Sequence, residues 1–143
     1  MSRLNIYLNT SNNFRVTVSN PASSGSDWGD TPLQPGTVIS PGSTNYKVAS
    51  MGDPGFLESD HWGWLYFNVE AVDGSVQPFP IQIFVADKQV AGEAYGFIGP
   101  YSSDSTGDNK MPNGCYGPQN QRTTDSDGLS FTLDDITNIV QVD

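Results

Sequence analysis

Residues 59–72 read S-D-H-W-G-W-L-Y-F-N-V-E-A-V, and this stretch sets the fold class. Leu65, Phe67, Val69 and Ala71 alternate with Trp64, Tyr66, Asn68 and Glu70. Successive side chains of an extended chain point to opposite sides of a sheet, so a two-residue period marks a half-buried strand. The second face of this strand is aromatic before it turns polar. A Trp pair, Trp62 and Trp64, stands at its start, split by Gly63. A glycine inside a strand leaves room for another backbone or a ligand to approach.

The same period recurs outward from this strand. Leu4, Ile6 and Leu8 alternate with Asn5, Tyr7 and Asn9, and Phe14, Val16 and Val18 follow after a turn at residues 10–13. A hairpin is the expected connection between them. Residues 20–35 read as a Pro-, Gly- and Ser-rich loop interrupted by Trp28, with short strands expected at 37–40 and 46–50. Asp73-Gly74 signals a hairpin turn. Residues 76–80 read as a linker, and Ile81, Ile83 and Val85 begin another alternating run. Residues 89–97, 129–133 and 136–142 complete the set. Eight to ten short strands at regular spacing predict an antiparallel β-sandwich, one domain over residues 1–143.

Composition narrows the function classes. The 143 residues carry 15 Gly and 10 Pro, and a formal charge of −10 at pH 7 from 16 acidic and 6 basic residues. A nucleic-acid binder needs a cationic stripe to displace counterions, and six scattered basic residues supply none, so no nucleic-acid partner is expected. Attraction to anionic lipid through a polybasic segment is excluded on the same ground. Cys115 is the single cysteine, so no internal disulfide is expected. The first residues lack an apolar signal-peptide region, and no apolar run is long enough to span a membrane as a helix. A cytosolic chain, or one released by a leaderless route, is the expected localisation.

Catalysis finds little support. His61 is the one histidine, so any Ser/His/Asp arrangement would have to use it. A polar loop residue beside a buried Trp is the simpler reading. Of the 16 acids 13 are Asp, mostly in turns, where Asp bonds its own backbone. No enzyme is expected, and no cofactor, with one reservation for calcium. Asp125, Asp127 and Gly128 copy the start of a calcium loop, and Asp104, Asp108 and Asn109 add oxygens upstream. The position that needs a bidentate Glu is Ile136, which rules out an EF-hand and leaves only a site shared between loops.

Rings carry the functional signal. Trp28, Trp62, Trp64, Tyr95 and Tyr101 are the candidate ligand-binding residues, with Asp60 and Asp104 as acceptors for a hydroxyl or ammonium group. Large rings beside polar loops suit a sugar face or a lipid headgroup, since an apolar body meets a polar tip. Three readings follow: a membrane-lipid-recognising protein, a lectin-like glycan binder assisted by calcium, and a self-assembling structural protein with homo-oligomer contacts through the rings.

In order along the chain, several pieces resemble the aegerolysins, small acidic β-sandwich proteins. They are the strand pair at 4–8 and 14–18, Trp28-Gly29, Pro41-Gly42 before the strand at 46–50, and the long strand from Gly63. Pro100-Tyr101-Ser102 and the run D-S-D-G-L-S-F-T-L at 125–133 extend the likeness. Where fungal members carry a W-D-C-P-W-like cluster, this chain has Y-G-F-I-G-P-Y at 95–101. The resemblance implies recognition of specific membrane lipids, sphingolipid-like headgroups among them. In several members it also implies action with a second, larger pore-forming protein, as a cytolysin or toxin component.

Overall fold

The computed structural model describes residues 3–25, 27–52, 61–87, 94–101 and 128–133. Nine strands run through them: β1 (Arg3–Asn9), β2 (Phe14–Ser24), β3 (Trp28–Asp30), β4 (Val38–Ile39), β5 (Tyr46–Gly52), β6 (His61–Ala71), β7 (Phe79–Asp87), β8 (Ala94–Pro100) and β9 (Gly128–Thr132). They form two sheets, one ordered β3-β5-β1-β9 and the other β4-β2-β6-β7-β8. The fold is an all-β sandwich, as the alternation predicts. No helix among the described residues is long and apolar enough to cross a membrane.

The interior is built from the alternating residues themselves. Leu4, Ile6 and Leu8 from β1 meet Phe14, Val16 and Val18 from β2, Leu65, Phe67 and Val69 from β6, and Ile81, Ile83 and Val85 from β7. Each such side chain removed from water contributes about 1.5–3 kcal/mol, which is what holds two four- and five-stranded sheets face to face. Leu129, Phe131 and Leu133 enter the same core, as their spacing predicts.

Four local readings are corrected. β1 and β2 do not form a hairpin but belong to different sheets, because both apolar rows must face one core from opposite sides. The turn between them instead bonds the 40–43 turn, with Thr10 N–H donating to the Ser43 carbonyl and Gly42 N–H to that of Ser11. Residues 20–35 are not all loop. β2 continues to Ser24, and the register shift between Val18 and Ser23 accommodates Pro21, whose nitrogen has no hydrogen to give a ladder. Residues 28–30 form β3 beside β5. The presumed linker at 76–80 already contains the start of β7, with Phe79 opposite Val69 and Pro80 opposite Asn68.

The long strand also pairs as the Asp73-Gly74 turn requires, β6 running antiparallel to β7 from His61↔Asp87 to Val69↔Phe79. Every strand pair among the described residues is antiparallel except β1 with β9. The expected strand at 136–142 lies outside the described residues.

Candidate functional site

Strand register places the rings. On the face of the second sheet that points away from the first, Trp62, Ala86 and Tyr95 form one row across β6, β7 and β8. Ser24, Trp64, Phe84 and Phe97 form the next, and Tyr66, Gln82 and Gly99 the one after. Strands lie about 4.8 Å apart, so Trp62 and Tyr95 rise from backbones about 10 Å apart with a methyl between them.

The middle row is sealed. Trp64 is 4% exposed, and Phe84 and Phe97 are buried with it in a second apolar cluster, separate from the main core. Trp64 meets Phe84 at 4.7 Å and Phe97 at 5.9 Å, and Phe84 stacks on Phe97 at 5.1 Å with planes 26° apart. Tilted, offset and edge contacts of this kind favour the ring quadrupoles and add about 0.5–1.5 kcal/mol per pair to the burial itself. Trp64 therefore serves packing, and its expected role at an open ligand face is corrected: two large rings, Phe84 on β7 and Phe97 on β8, pack with the indole in a buried cluster.

The margin of the cluster is open. Trp62 is 41% exposed and Tyr101 is 50% exposed, while Tyr66 and Tyr95 are half-buried against the sealed rings. Tyr101 donates its N–H to the Pro80 carbonyl and sets its ring edge-on to Tyr66 at 5.9 Å. Six residues of strand separate the Trp62 row from the row of Pro80, a span of roughly 20 Å along the sheet. Ser24 Oγ and Tyr66 Oη share a hydrogen bond of 2.8 Å beside these rings, which places two hydroxyls at the rim.

Trp28 is elsewhere. Its ring lies over Gly63, where a Cβ would come within 2.6 Å of Cζ2, and its Nε1–H donates to the Ser24 carbonyl at 3.3 Å. It packs against the main core. The approach that Gly63 permits is thus filled by this chain's own indole, and the expected ligand role of Trp28 is corrected to closure of the sandwich end. The same segment reaches Trp62 from the other side: Asp27 Oδ2 accepts the Trp62 N–H at 3.3 Å. His61 holds its Nδ1 in hydrogen-bond contact with the Gly52 carbonyl, linking the two sheets, and it lies opposite fully buried Asp87 in the strand register.

The structure places Trp62, Tyr95 and Tyr101 of the expected residues on one sheet face, with buried Trp64 in a row between the first two and Tyr101. Asp60, Asp104, Asp108, Asp125 and Asp127 lie outside the described residues. Among the described residues no group of three His, Cys, Asp or Glu is set to hold a metal ion. Sequence reading missed Asp27, Ser24 and Phe84 as neighbours of the rim. For Phe84 the signal was present, since Gln82, Phe84 and Ala86 alternate with the core residues Ile81, Ile83 and Val85 and so had to share the face of Trp64 once β6 and β7 pair.

No family model, curated protein or solved structure matches this chain.

Proposed function

We propose that this is a non-enzymatic protein that recognises membrane lipid through the aromatic rim of the second sheet, in the manner of a cytolysin component of aegerolysin type. The observation that carries the reading is the exposed indole of Trp62, held on a rigid strand beside Tyr95 and on one face with Tyr66 and Tyr101. Indoles and phenols favour the membrane–water boundary, where an apolar ring meets a wet polar tip. The sealed aromatic row beside them packs against Tyr66 and Tyr95 and gives those two rings a fixed footing, so less of their side-chain freedom is lost on docking. The net charge of −10 makes the attraction non-Coulombic with respect to anionic lipid, and points to neutral or zwitterionic headgroups.

Co-sedimentation with vesicles of neutral and zwitterionic lipid tests the reading. Binding is expected, with little change between 50 mM and 500 mM salt, because exposed charges more than a Debye length apart are screened while ring insertion is not. Trp62→Ala is expected to weaken it by tenfold or more, at unchanged melting temperature. Failure to sediment with any vesicle would overturn the proposal. The Ser24–Tyr66 hydroxyl pair supports a second reading, a glycan ligand, which a glycan array separates from the first.

A further inference from the structure

Two cations of the described residues, Arg15 and Lys47, are committed to ion pairs. Arg15 pairs with Glu70 at 3.1 Å, and Lys47 with Asp30 at 3.6 Å. Asp27 belongs to neither pair. Its Oδ2 accepts the backbone N–H of Trp62 at 3.3 Å, so the carboxylate sits at the base of the most exposed indole of the described residues. The anchoring is tight on both sides. Gly25, at φ +93°, lies so close to the Trp62 carbonyl that a Cβ there would be 3.0 Å from its oxygen. Trp28 then closes over Gly63, the next residue of β6. Gly25, Asp27 and Trp28 therefore hold one acid at the backbone of the residue that carries the ring.

We propose that this corner, the Trp62 ring with the Asp27 carboxylate, is a subsite for an alkylammonium group, the cationic end of a membrane lipid headgroup. The inference rests on the lipid reading above and assigns it a chemistry. An indole attracts a cation through the negative face of its ring, more strongly than Tyr or Phe does. A carboxylate beside the ring adds a charge of the right sign, on a chain whose overall field already favours cations. The carboxylate would receive an N–H of the headgroup or face a methylated nitrogen. The membrane, rather than a free small cation, is the occupant, because the same sheet face carries a second exposed ring, Tyr101, on the order of 20 Å away. That geometry suits a surface.

Asp27→Asn tests it directly, since an amide oxygen still accepts the Trp62 N–H while the charge is removed. The full chain is sedimented with phosphatidylcholine vesicles and with neutral galactolipid vesicles, which carry no ammonium. The expected result is at least tenfold tighter binding to phosphatidylcholine, reduced about tenfold by Asp27→Asn, with galactolipid binding unmoved. Trp62→Phe, which keeps a ring of weaker cation attraction, should give an intermediate loss; it also serves if the Asp27 variant melts early. Equal binding to both vesicles, indifferent to Asp27→Asn, overturns the subsite and leaves the lipid reading standing. If neither vesicle binds, the lipid reading falls, and titration of the Trp62 fluorescence with tetramethylammonium settles the corner by itself. A saturable change lost in Asp27→Asn keeps it, and no change removes it.

Discussion

The outer face of the second sheet has two halves that share the same strands and differ in almost everything else. At one end β6 offers Trp62, Trp64 and Tyr66; at the other it offers Asn68 and Glu70, opposite Thr17 and Arg15 of β2. The inward face does not change between them, since Leu65, Phe67 and Val69 are all core. What changes is whether the outward residues make a second layer of packing. In the aromatic half Trp64 does, closing with Phe84 and Phe97 into a layer that is buried on both sides. In the polar half they meet water and cross-strand partners. Recognition residues belong on the margin of the first half, where a ring is exposed but its neighbours cannot move.

That contrast can be broken most forcefully at Phe84. It touches Trp64, Phe97 and Tyr95 at centroid distances of 4.7, 5.1 and 6.1 Å, respectively. Phe84→Ala should cost about 3–5 kcal/mol by denaturant unfolding, the range for a fully buried ring. Asn68→Ala, on the same face and one strand away, should stay within about 0.5 kcal/mol. Equal effects at the two positions would mean that the aromatic half is surface like the other.

Gly63 comes next. A methyl there meets Trp28 Cζ2 at 2.6 Å and Cε2 at 2.9 Å, so the indole must move. Gly63→Ala should destabilise by about 1–3 kcal/mol. In a Trp28→Ala background most of that loss should vanish, because the two residues are in contact and their effects do not add. An unchanged penalty in the double mutant would place the strain in the backbone instead, against the Ser24 carbonyl at 3.1 Å.

How far the sequence reveals this arrangement follows from which interactions are local. Period-two alternation is local, and it located β1, β2, β6, β7 and β9 and the inward residues of each, while of β5 it found the strand but not the inward row. Sheet membership is not local: nothing in residues 4–18 says whether two adjacent strands pair or face each other, and the expected hairpin turned out to be a crossing between sheets. β3 escaped notice because three residues, W-G-D, are too few to show a period, and their pairing depends on β5. Trp64 looked available because it alternates with the core residues Leu65 and Phe67 and so falls on the outward face. The rings that seal it, Phe84 and Phe97, come from β7 and β8. The parallel neighbour of β1 is likewise contributed from more than a hundred residues away.

In the polar half, the Arg15–Glu70 pair joins β2 and β6 with both side chains about half exposed. A double-mutant cycle on Arg15→Ala and Glu70→Ala should give a coupling of only about 0.2–1 kcal/mol, shrinking further in high salt. A coupling comparable with the Phe84 effect would erase the distinction between the halves.

The smallest effect lies just past that end, in the turn between β6 and β7. Asp73 accepts the backbone N–H of Ser75 at 2.9 Å. Its carboxyl is held below the usual range, first by the Ser75 hydroxyl and then by that N–H, both of which bond the charged form. A depressed folded-state pKa means the turn is favoured above the ordinary carboxyl pKa, and that contribution fades as pH falls through the lowered one. The group is fully exposed, so its titration should register in the Asp73 and Ser75 resonances while global unfolding barely moves. Ser75→Ala removes the larger cause and should bring the midpoint back toward that of a free aspartate. A midpoint unchanged by that substitution would assign the whole depression to the backbone of the turn, with Gly74 at φ +74° setting its shape.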